Sequence, residues 1–297
     1  MVFHPPVAVV AKAGDAGKYK VGLPAWNLLL RGFMAGAYIA MGGALATVCS
    51  TGITYSADAI KAGAVAGGFA SAGMAQLVLG AVFPVGLIII VLTGAELFTG
   101  DAMLAPMAAF IHKVSWAQVI NVWIWVYIGN LIGSIIFAYI MAYGPFVSFD
   151  STGAATVTAF GTRAIAIASA KVSYVGMLGM WSAFLKAIAC NWLVNLAILL
   201  GICADDLVGK FFGIWFPIMA FVSSGFEHSV ANMYFIPAGI LTQGFITDPT
   251  KINAGLTWVT MWTNNLIIVT IGNIVGGLFF VGVIYWVAFR KEIAALK

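Results

Sequence analysis

Two short polar segments carry the residues of this chain that could do chemistry inside apolar sequence. The first reads Thr-Gly-Ala-Glu-Leu-Phe-Thr-Gly over residues 93–100, and the second reads Ser-Gly-Phe-Glu-His-Ser over residues 224–229. Glu96 and Glu227 each lie two residues after a glycine, and His228 adds an imidazole that can carry or release a proton near neutral pH. Together these groups could bind a polar solute or exchange a proton with it.

Both polar segments interrupt stretches that are apolar enough to cross a bilayer. A helix in hydrocarbon can stop only where its freed backbone N–H and C=O groups face protein or a water-filled cavity, because each unsatisfied group is costly in lipid. Matched interruptions in the two halves of a chain are typical of transporters that are built from inverted repeats and bind solute near the membrane midplane. The sequence therefore predicts a solute path at the interruptions.

The composition indicates an integral membrane protein. Hydrophobic residues make up 62% of the 297 residues and charged residues only 8%, whereas a soluble domain carries about 25% charged residues. So few charges cannot solvate a globular surface, and nothing in the composition favours nucleic acid as a partner. Cys49, Cys190 and Cys203 have no CxxC spacing, so neither a disulfide framework nor a metal site is predicted.

Six membrane spans are predicted, with the polar segments inside the second and the fifth. The spans cover about 26–49, 69–111, 118–143, 174–202, 211–241 and 259–289. The predicted fold class is an all-α integral membrane protein with one transport domain, 26–289. An N-terminal segment, 1–25, precedes this domain and a C-terminal tail, 290–297, follows it.

Basic residues are distributed unequally between the two ends of the predicted spans. The larger group lies on the side that holds both termini and consists of Lys12, Lys18, Lys20, Arg31, Lys113, Lys210, Arg290, Lys291 and Lys297. The smaller group consists of Lys61, Arg163, Lys171 and Lys251. Because cytoplasmic loops carry the excess of lysine and arginine, both termini are predicted to be cytoplasmic, in a multi-pass protein of the cell membrane.

The two halves of the chain repeat several features in the same order. Gly-Asn-Leu-Ile-Gly at 129–133 matches Gly-Asn-Ile-Val-Gly at 272–276, and both supply small-residue faces for close helix packing. With three spans in each half, the second copy enters the membrane from the opposite side, so the repeats at about 26–143 and 174–289 are predicted to be inverted. The connection at 144–172 is rich in Ala, Thr and Ser and is predicted to form an external lid or a short helix.

Segments in order along the chain resemble the signature sequences of the formate/nitrite transporter family. These segments are 94–100, 187–194, 213–221, 225–233 and 271–277. The resemblance implies an aquaporin-like protomer with broken second and fifth helices, a homopentamer, and passage of small monovalent anions such as formate, nitrite, hydrosulfide or lactate. Segment 213–221 is especially similar to formate transporters of methanogenic archaea, so formate is the expected substrate, with no cofactor.

The resemblance also implies roles for individual residues along the path. It places His228 beside the hydroxyl of Thr99, between two apolar constrictions, where the imidazole either hydrogen-bonds the anion or lends it a proton. Lys171 resembles a lysine of the outer vestibule. Without the resemblance, a lone histidine in a span is more often a hydrogen-bonded packing residue. Pore-narrowing roles are implied for Phe83, Leu87, Leu97 and Phe221, which would otherwise be interpreted as packing residues.

The remaining polar residues in the spans are interpreted as structural. Glu96 and Glu227 are predicted to accept hydrogen bonds from backbone N–H groups that the interrupted helices leave free, next to Gly94 and Gly225.

Two asparagines, Asn191 and Asn273, are predicted to join helices, with a place near the path as their second role. Asp101 departs from the family pattern, in which an uncharged residue such as Asn is common. It either adds a titratable group or caps the second half-helix.

Three classes of function are compatible with these features. The first is an anion channel or proton-coupled transporter. The second is a neutral-solute pore of the aquaporin type, although the chain contains no Asn-Pro motif. The third is a membrane enzyme or haem anchor, but His228 is the only histidine placed within a span and no catalytic motif is present. An enzyme is therefore not predicted.

Overall fold

The computed structural model describes residues 3–53 and 72–295. Lys61, Lys297 and the start of the predicted second span at residue 69 lie outside these residues. The helices of the first half are α1 (Pro6–Val21), α2 (Ala25–Ser50), α3 (Ala72–Val82), α4 (Val85–Thr93), α5 (Phe98–Phe110) and α6 (Trp116–Tyr143). The second half contains α7 (Ala159–Lys171), α8 (Gly176–Cys203), α9 (Leu207–Ser223), α10 (Ser229–Gln243) and α11 (Trp258–Ala295).

Several of these helices are long and apolar enough to cross a membrane. Five described segments meet this criterion: Ala25–Ser50, Gly73–Thr93, Trp116–Tyr143, Gly176–Cys203 and Trp258–Ala295. The fifth predicted span, 211–241, corresponds to the shorter apolar helix α9 followed by α10. The prediction of a helical membrane protein is confirmed.

Glycines allow the long helices to pack at very short distances, as the repeated Gly-Asn-x-x-Gly segments predict. A Cβ atom on Gly133 of α6 would lie 2.0 Å from the Phe33 carbonyl oxygen of α2. In the second half, a Cβ on Gly276 of α11 would lie 2.4 Å from the Ile188 carbonyl oxygen of α8. Any side chain at these positions would push the backbones apart, so glycine fixes both helix pairs.

Both predicted interruptions are present in the structure. The first interruption, residues 94–97, separates α4 from α5, and the second interruption, residues 224–228, separates α9 from α10. Gly94 and Gly225 have positive φ angles, of 75° and 69°. Glycine adopts this left-handed conformation without the steric cost that a side chain adds, so each glycine turns the chain away from the preceding helix.

The connection at 144–172 contains the short helix that the sequence predicts, α7, and also a hairpin that it does not. Strand β1 (Val147–Phe149) pairs antiparallel with β2 (Ala155–Val157), which corrects the all-α prediction at this point. Strands of three residues are too short to show an alternating hydrophobic pattern. Thr158 then begins α7 by accepting a hydrogen bond from the Gly161 N–H group.

Helix α1 is a further element that the sequence analysis did not predict. It packs against α5, and a Cβ on Gly17 would lie 1.9 Å from the Leu104 carbonyl oxygen. An ion pair between Asp15 and Lys113 joins α1 to the chain after α5. As a result, the end of α1 lies beside the first interruption, just as the end of α7 lies beside the second.

Candidate solute path

Two cavities of about 270 Å³ each lie at the interruptions. We name each after one lysine that lines it. The Lys171 cavity is lined by Lys171, Arg163, Glu227, His228, Phe83 and Phe221, among others. The Lys20 cavity is lined by Lys20, Arg31, Glu96, Asp101, Leu87 and Leu97, among others.

His228 connects the two interruptions. Its side chain is 2% exposed, and it occupies the position immediately before α10. The Nδ1 atom accepts a hydrogen bond from the Ala231 N–H group at 3.0 Å, and Nε2 lies 2.9 Å from the Thr99 hydroxyl oxygen of α5. The structure therefore brings together the two predicted path residues from opposite halves of the chain.

The contact at Nδ1 determines which nitrogen of His228 carries the proton. A nitrogen that accepts a hydrogen bond has no proton, so in the neutral ring the proton is on Nε2 and is donated to Thr99. A charged imidazolium would have donors on both nitrogens and would lose the bond from Ala231. The arrangement thus favours a neutral ring whose Nε2–H group and Thr99 hydroxyl can both hydrogen-bond an anion.

The four predicted constriction residues are buried and lie two on each side of this pair. Phe83 and Phe221 line the Lys171 cavity, with their ring centres 5.9 Å apart, edge to face. The Phe221 ring also stacks on the His228 ring at 5.7 Å. Leu87 and Leu97 line the Lys20 cavity. Their role in narrowing a pore stays a prediction; the structure shows that each of them lines one of the two cavities.

Glu227 is surrounded by side-chain donors. Lys171 Nζ and the Tyr174 hydroxyl donate to Oε1 at 2.7 and 2.9 Å. Asn232 and Asn265 donate to Oε2 at 2.7 and 3.2 Å. Burial, together with the negative charge of Glu227, raises the pKa of Tyr174, so its hydroxyl stays a donor at neutral pH.

Glu96 occupies a similar cluster with different members. Lys20, at the end of α1, donates a hydrogen bond to Glu96 and lies 3.0 Å from the carboxylate of Asp101. Arg31 Nη1 lies 3.7 Å from Glu96. Burial by itself lowers the pKa of Lys20, but the Asp101 and Glu96 carboxylates outweigh it and hold that pKa above its usual value. Lys20 is therefore a cation next to the path.

Comparison with known proteins agrees with this geometry. The family model described as formate/nitrite transporter matches residues 7–287. The chain belongs to the formate/nitrite transporter family. It is 41% identical over 295 residues to a probable formate transporter of Methanothermobacter thermautotrophicus, and the match covers 98% of each chain.

Solved structures of the family have the same fold. A structure described as an FNT family ion channel is 26% identical, with a TM-score of 0.74 over 95% of this chain and 98% of that one. A pentameric formate channel with formate bound is 34% identical, with a TM-score of 0.71 over 90% of this chain and 98% of that one. Members of this family are transporters and channels rather than enzymes.

Two asparagines satisfy the backbone groups that this transporter's interruptions expose. Asn273 accepts from the Ser229 N–H group at 2.8 Å and donates to the carbonyl oxygens of Ala187 and Glu227. Asn130 does the same in the first half. It accepts from the Phe98 N–H group at 2.9 Å and donates to the carbonyl oxygens of Gly32 and Glu96. The sequence analysis named Asn273 but missed Asn130, although the repeated Gly-Asn-x-x-Gly segment contains both.

The predicted partners of the two glutamates were wrong. Glu96 and Glu227 accept hydrogen bonds from side chains, whereas the sequence predicted that backbone N–H groups would donate to them. The physical reason is that Asn130 and Asn273 already accept a hydrogen bond from the first N–H group of α5 and of α10. The carboxylates are left to pair with the lysines that α1 and α7 bring.

Asn191 joins three helices, as predicted. Its Nδ2 group donates to the carbonyl oxygens of Thr99 and Asn273, at 3.0 and 2.6 Å, and so ties α8 to α5 and α11. Asn195, which the sequence analysis missed, also donates to the Thr99 carbonyl, at 3.1 Å. These bonds hold the backbone that presents the Thr99 hydroxyl to His228.

Proposed function

We propose that this protein carries formate across the cell membrane through a path in each protomer of a homopentamer. The observation that carries the proposal is the His228–Thr99 pair. His228 lines the Lys171 cavity, and Gly100, the neighbour of Thr99, lines the Lys20 cavity. The similar solved structure is that of a pentameric channel with formate bound, and 98% of that chain is covered by the match. A relative from a methanogen is described as a probable formate transporter.

The proposed layout has six spans in two inverted repeats, 26–143 and 174–289, within a transport domain of 26–289. Asn130 and Asn273 make equivalent hydrogen bonds in the two halves of the chain. This supports the inverted repeats, because a backbone arrangement that occurs twice explains the equivalence. With both termini cytoplasmic, the Lys20 cavity opens toward the cytoplasm and the Lys171 cavity toward the outside. The segments 1–25 and 290–297 then lie on the cytoplasmic side.

The proposed route begins with attraction of the anion into a cavity. Lys171 and Arg163 line one cavity, Lys20 and Arg31 line the other, and the N-terminal ends of α5 and α10 add partial positive charge between them. The apolar side chains around the centre disfavour an ion that has lost its water, but they pass a neutral acid more readily. Formate therefore crosses this segment with a proton, as formic acid.

Of the two roles that the sequence left open for His228, we propose the hydrogen-bonding one. The neutral ring donates from Nε2 while its Nδ1 atom stays bound to the Ala231 N–H group. A carboxylate or carboxylic acid oxygen can replace Thr99 as the acceptor, and the Thr99 hydroxyl can then donate to the same solute. The proton that accompanies formate comes from the water of the cavities.

The experiment that tests this proposal is flux in proteoliposomes of purified protein. Formate, nitrite, hydrosulfide, acetate, lactate and glycerol are offered in turn at two pH values, with an internal pH indicator. We expect formate to move fastest and to carry protons with it. His228→Phe should abolish this flux, while the matched variant His4→Phe, near the N-terminus, should not.

If another small anion moves faster than formate, that anion is the substrate and the formate assignment is wrong. If glycerol moves fastest, the protein is a neutral-solute pore. Mass measurement of the detergent-solubilised protein tests the pentamer, and a monomer or tetramer would contradict it.

A further inference from the structure

Asp101 is a fully buried acid. The asparagine that holds the backbone of the first interruption, Asn130, donates no hydrogen bond to it. Asp101 is 0% exposed and lines the Lys20 cavity. Its Oδ2 atom has no hydrogen-bond partner among the described residues. Its Oδ1 atom is 3.0 Å from the ammonium of Lys20, which also donates to Glu96. An ionised Asp101 would therefore leave Oδ2 charged, buried and unpaired, which is costly.

At the equivalent position of the second interruption, the side chain is an amide that donates hydrogen bonds. Asp101 is the fourth residue of α5, and Asn232 is the fourth residue of α10. Asn232 Nδ2 donates to Glu227 Oε2 at 2.7 Å and to Asn265 Oδ1 at 2.8 Å. An ionised carboxylate has no donor and cannot replace this amide. A protonated carboxyl has nearly the same shape as the amide and supplies one O–H donor.

The charged side chains around Asp101 come from four elements. Lys20 on α1 and Arg31 on α2 are positive, and Glu96 in the first interruption is negative. Lys210 of α9 lines the same cavity and donates to the Gly201 carbonyl oxygen. Tyr19 of α1 also lines it, and α6 contributes Trp123, which donates to the Asp101 backbone carbonyl.

Protonation of Asp101 sets the charge that a solute meets at Lys20. When Asp101 is ionised, Lys20 and Arg31 face two carboxylates, and these four charges balance, while Lys210 adds one positive charge to the cavity. When Asp101 is protonated, Lys20 and Arg31 face Glu96 alone, which leaves one net positive charge on these residues. At the second interruption, Lys171 pairs with Glu227 directly, and Lys186 donates to the Tyr174 hydroxyl that also binds Glu227. Because Asn232 cannot ionise, these two lysines always have a single carboxylate.

We propose that Asp101 is a proton-binding site of this transporter. A proton from water in the Lys20 cavity forms an O–H bond at Asp101, which donates to Glu96 and frees Lys20 to attract an anion. Loss of that proton returns Lys20 to the two carboxylates and weakens anion entry from this side. The transport consequence rests on the proposed function, whereas the proton site itself does not.

Infrared spectroscopy of the full-length protein in liposomes, without any substrate, tests the proton site directly. A buried protonated carboxyl gives a C=O stretching band apart from the amide bands. We expect this band at neutral pH in the wild type, its loss in Asp101→Asn, and its retention in Asp205→Asn, an acid of the α8–α9 turn that pairs with His4. A spectrum without the band in the wild type, or with an unchanged band in Asp101→Asn, would overturn the proposal.

The role of Asp101 in anion entry is tested by formate flux in proteoliposomes in which the formate gradient drives entry from a chosen side of the protein. In the wild type, formate entry through the Lys20 cavity should become slower at alkaline pH. Asp101→Asn should abolish this slowing, so that at alkaline pH the variant takes up formate roughly tenfold faster than the wild type. The reciprocal change, Asn232→Asp, should introduce such a slowing on the Lys171 side. Unchanged pH profiles in both variants would contradict the role in anion entry. Absence of formate flux in every variant, with the infrared band intact, would reject the proposed function and retain the proton site.

Discussion

The two interruptions share one backbone frame and differ in the side chains that face the solute. In each, a glycine with positive φ ends the first half-helix, and an asparagine of a long helix binds the first N–H group of the second. The N–H group of Glu96 donates to the Arg31 carbonyl oxygen, and that of Glu227 donates to the Lys186 carbonyl oxygen. The frame is therefore the same structure built twice.

The differences lie at two positions of this frame. Leu97 immediately precedes α5, where His228 immediately precedes α10, and Asp101 stands where the second interruption has Asn232. The shared residues thus hold the interrupted backbone in place, and we propose that the unshared residues give the path its chemistry. One side offers a neutral donor for the solute, and the other offers an acid beside a lysine.

The largest expected effect comes from removing the shared asparagines. Asn130→Ala and Asn273→Ala each delete three hydrogen bonds and leave buried backbone groups unsatisfied, so each should lower stability by about 3 kcal/mol. Thermal unfolding of the detergent-solubilised protein measures this. Asn264→Ala serves as control, because Asn264 satisfies only one backbone group among the described residues, the Val172 carbonyl, and its other bond is to the exposed Thr263 hydroxyl. Similar losses confirm one shared frame, and a loss in only one of the two variants would argue against it.

The next effect should distinguish the two glutamates. Glu227→Gln removes the carboxylate that pairs with Lys171 and should cost about 2 kcal/mol, because that ammonium group is mostly buried. Glu96→Gln should cost about half as much, because Asp101 can ionise and take over the pairing with Lys20. Thermal unfolding of both variants and of Glu96→Gln/Asp101→Asn provides the comparison. Equal losses in the two single variants would show that Asp101 gives Lys20 no such support.

The sequence predicts the interruptions well because a glycine followed by a carboxylate is rare within an apolar span unless the helix breaks there. It also predicts the contacts of Asn191 and Asn273 between helices. It does not predict that Lys20 reaches Glu96, because the two residues are 76 positions apart and α1 docks through tertiary packing. The wrong partners of Glu96 and Glu227 have the same cause. Local rules for helix ends do not reveal that an asparagine distant in the sequence accepts the hydrogen bond from the first N–H group of the helix.

Truncating the aromatic ring next to His228 should change selectivity on one side of the path. Phe221→Ala widens the space beside His228, so lactate flux relative to formate flux should rise roughly tenfold. Leu87→Ala should have a similar effect at the Lys20 cavity. Phe216→Ala is the matched control, since this residue of α9 is 60% exposed. Unchanged flux ratios in both variants would assign Phe221 and Leu87 to packing alone.

The smallest effect is expected at the two glycines. Alanine at Gly94 or Gly225 meets no atom within 4 Å, so the cost is backbone strain alone, about 1 kcal/mol in each case. Gly153→Ala, at the tip of the hairpin, has the same positive φ and free space but is remote from the cavities. All three variants should have melting temperatures that are lower than that of the wild type by similar amounts. A much larger loss at one of the interruptions would mean that its glycine has a further role.

The pH profile of formate flux in His228→Asn tests the central claim most directly. Asparagine can cap α10 as the imidazole does and keeps an N–H donor, but it does not titrate. If His228 acts as a neutral donor, this variant should conduct formate about tenfold more slowly, with the same dependence on pH as the wild type. A folded His228→Asn protein that loses the pH dependence would show that the histidine supplies the proton and would contradict the neutral-donor mechanism.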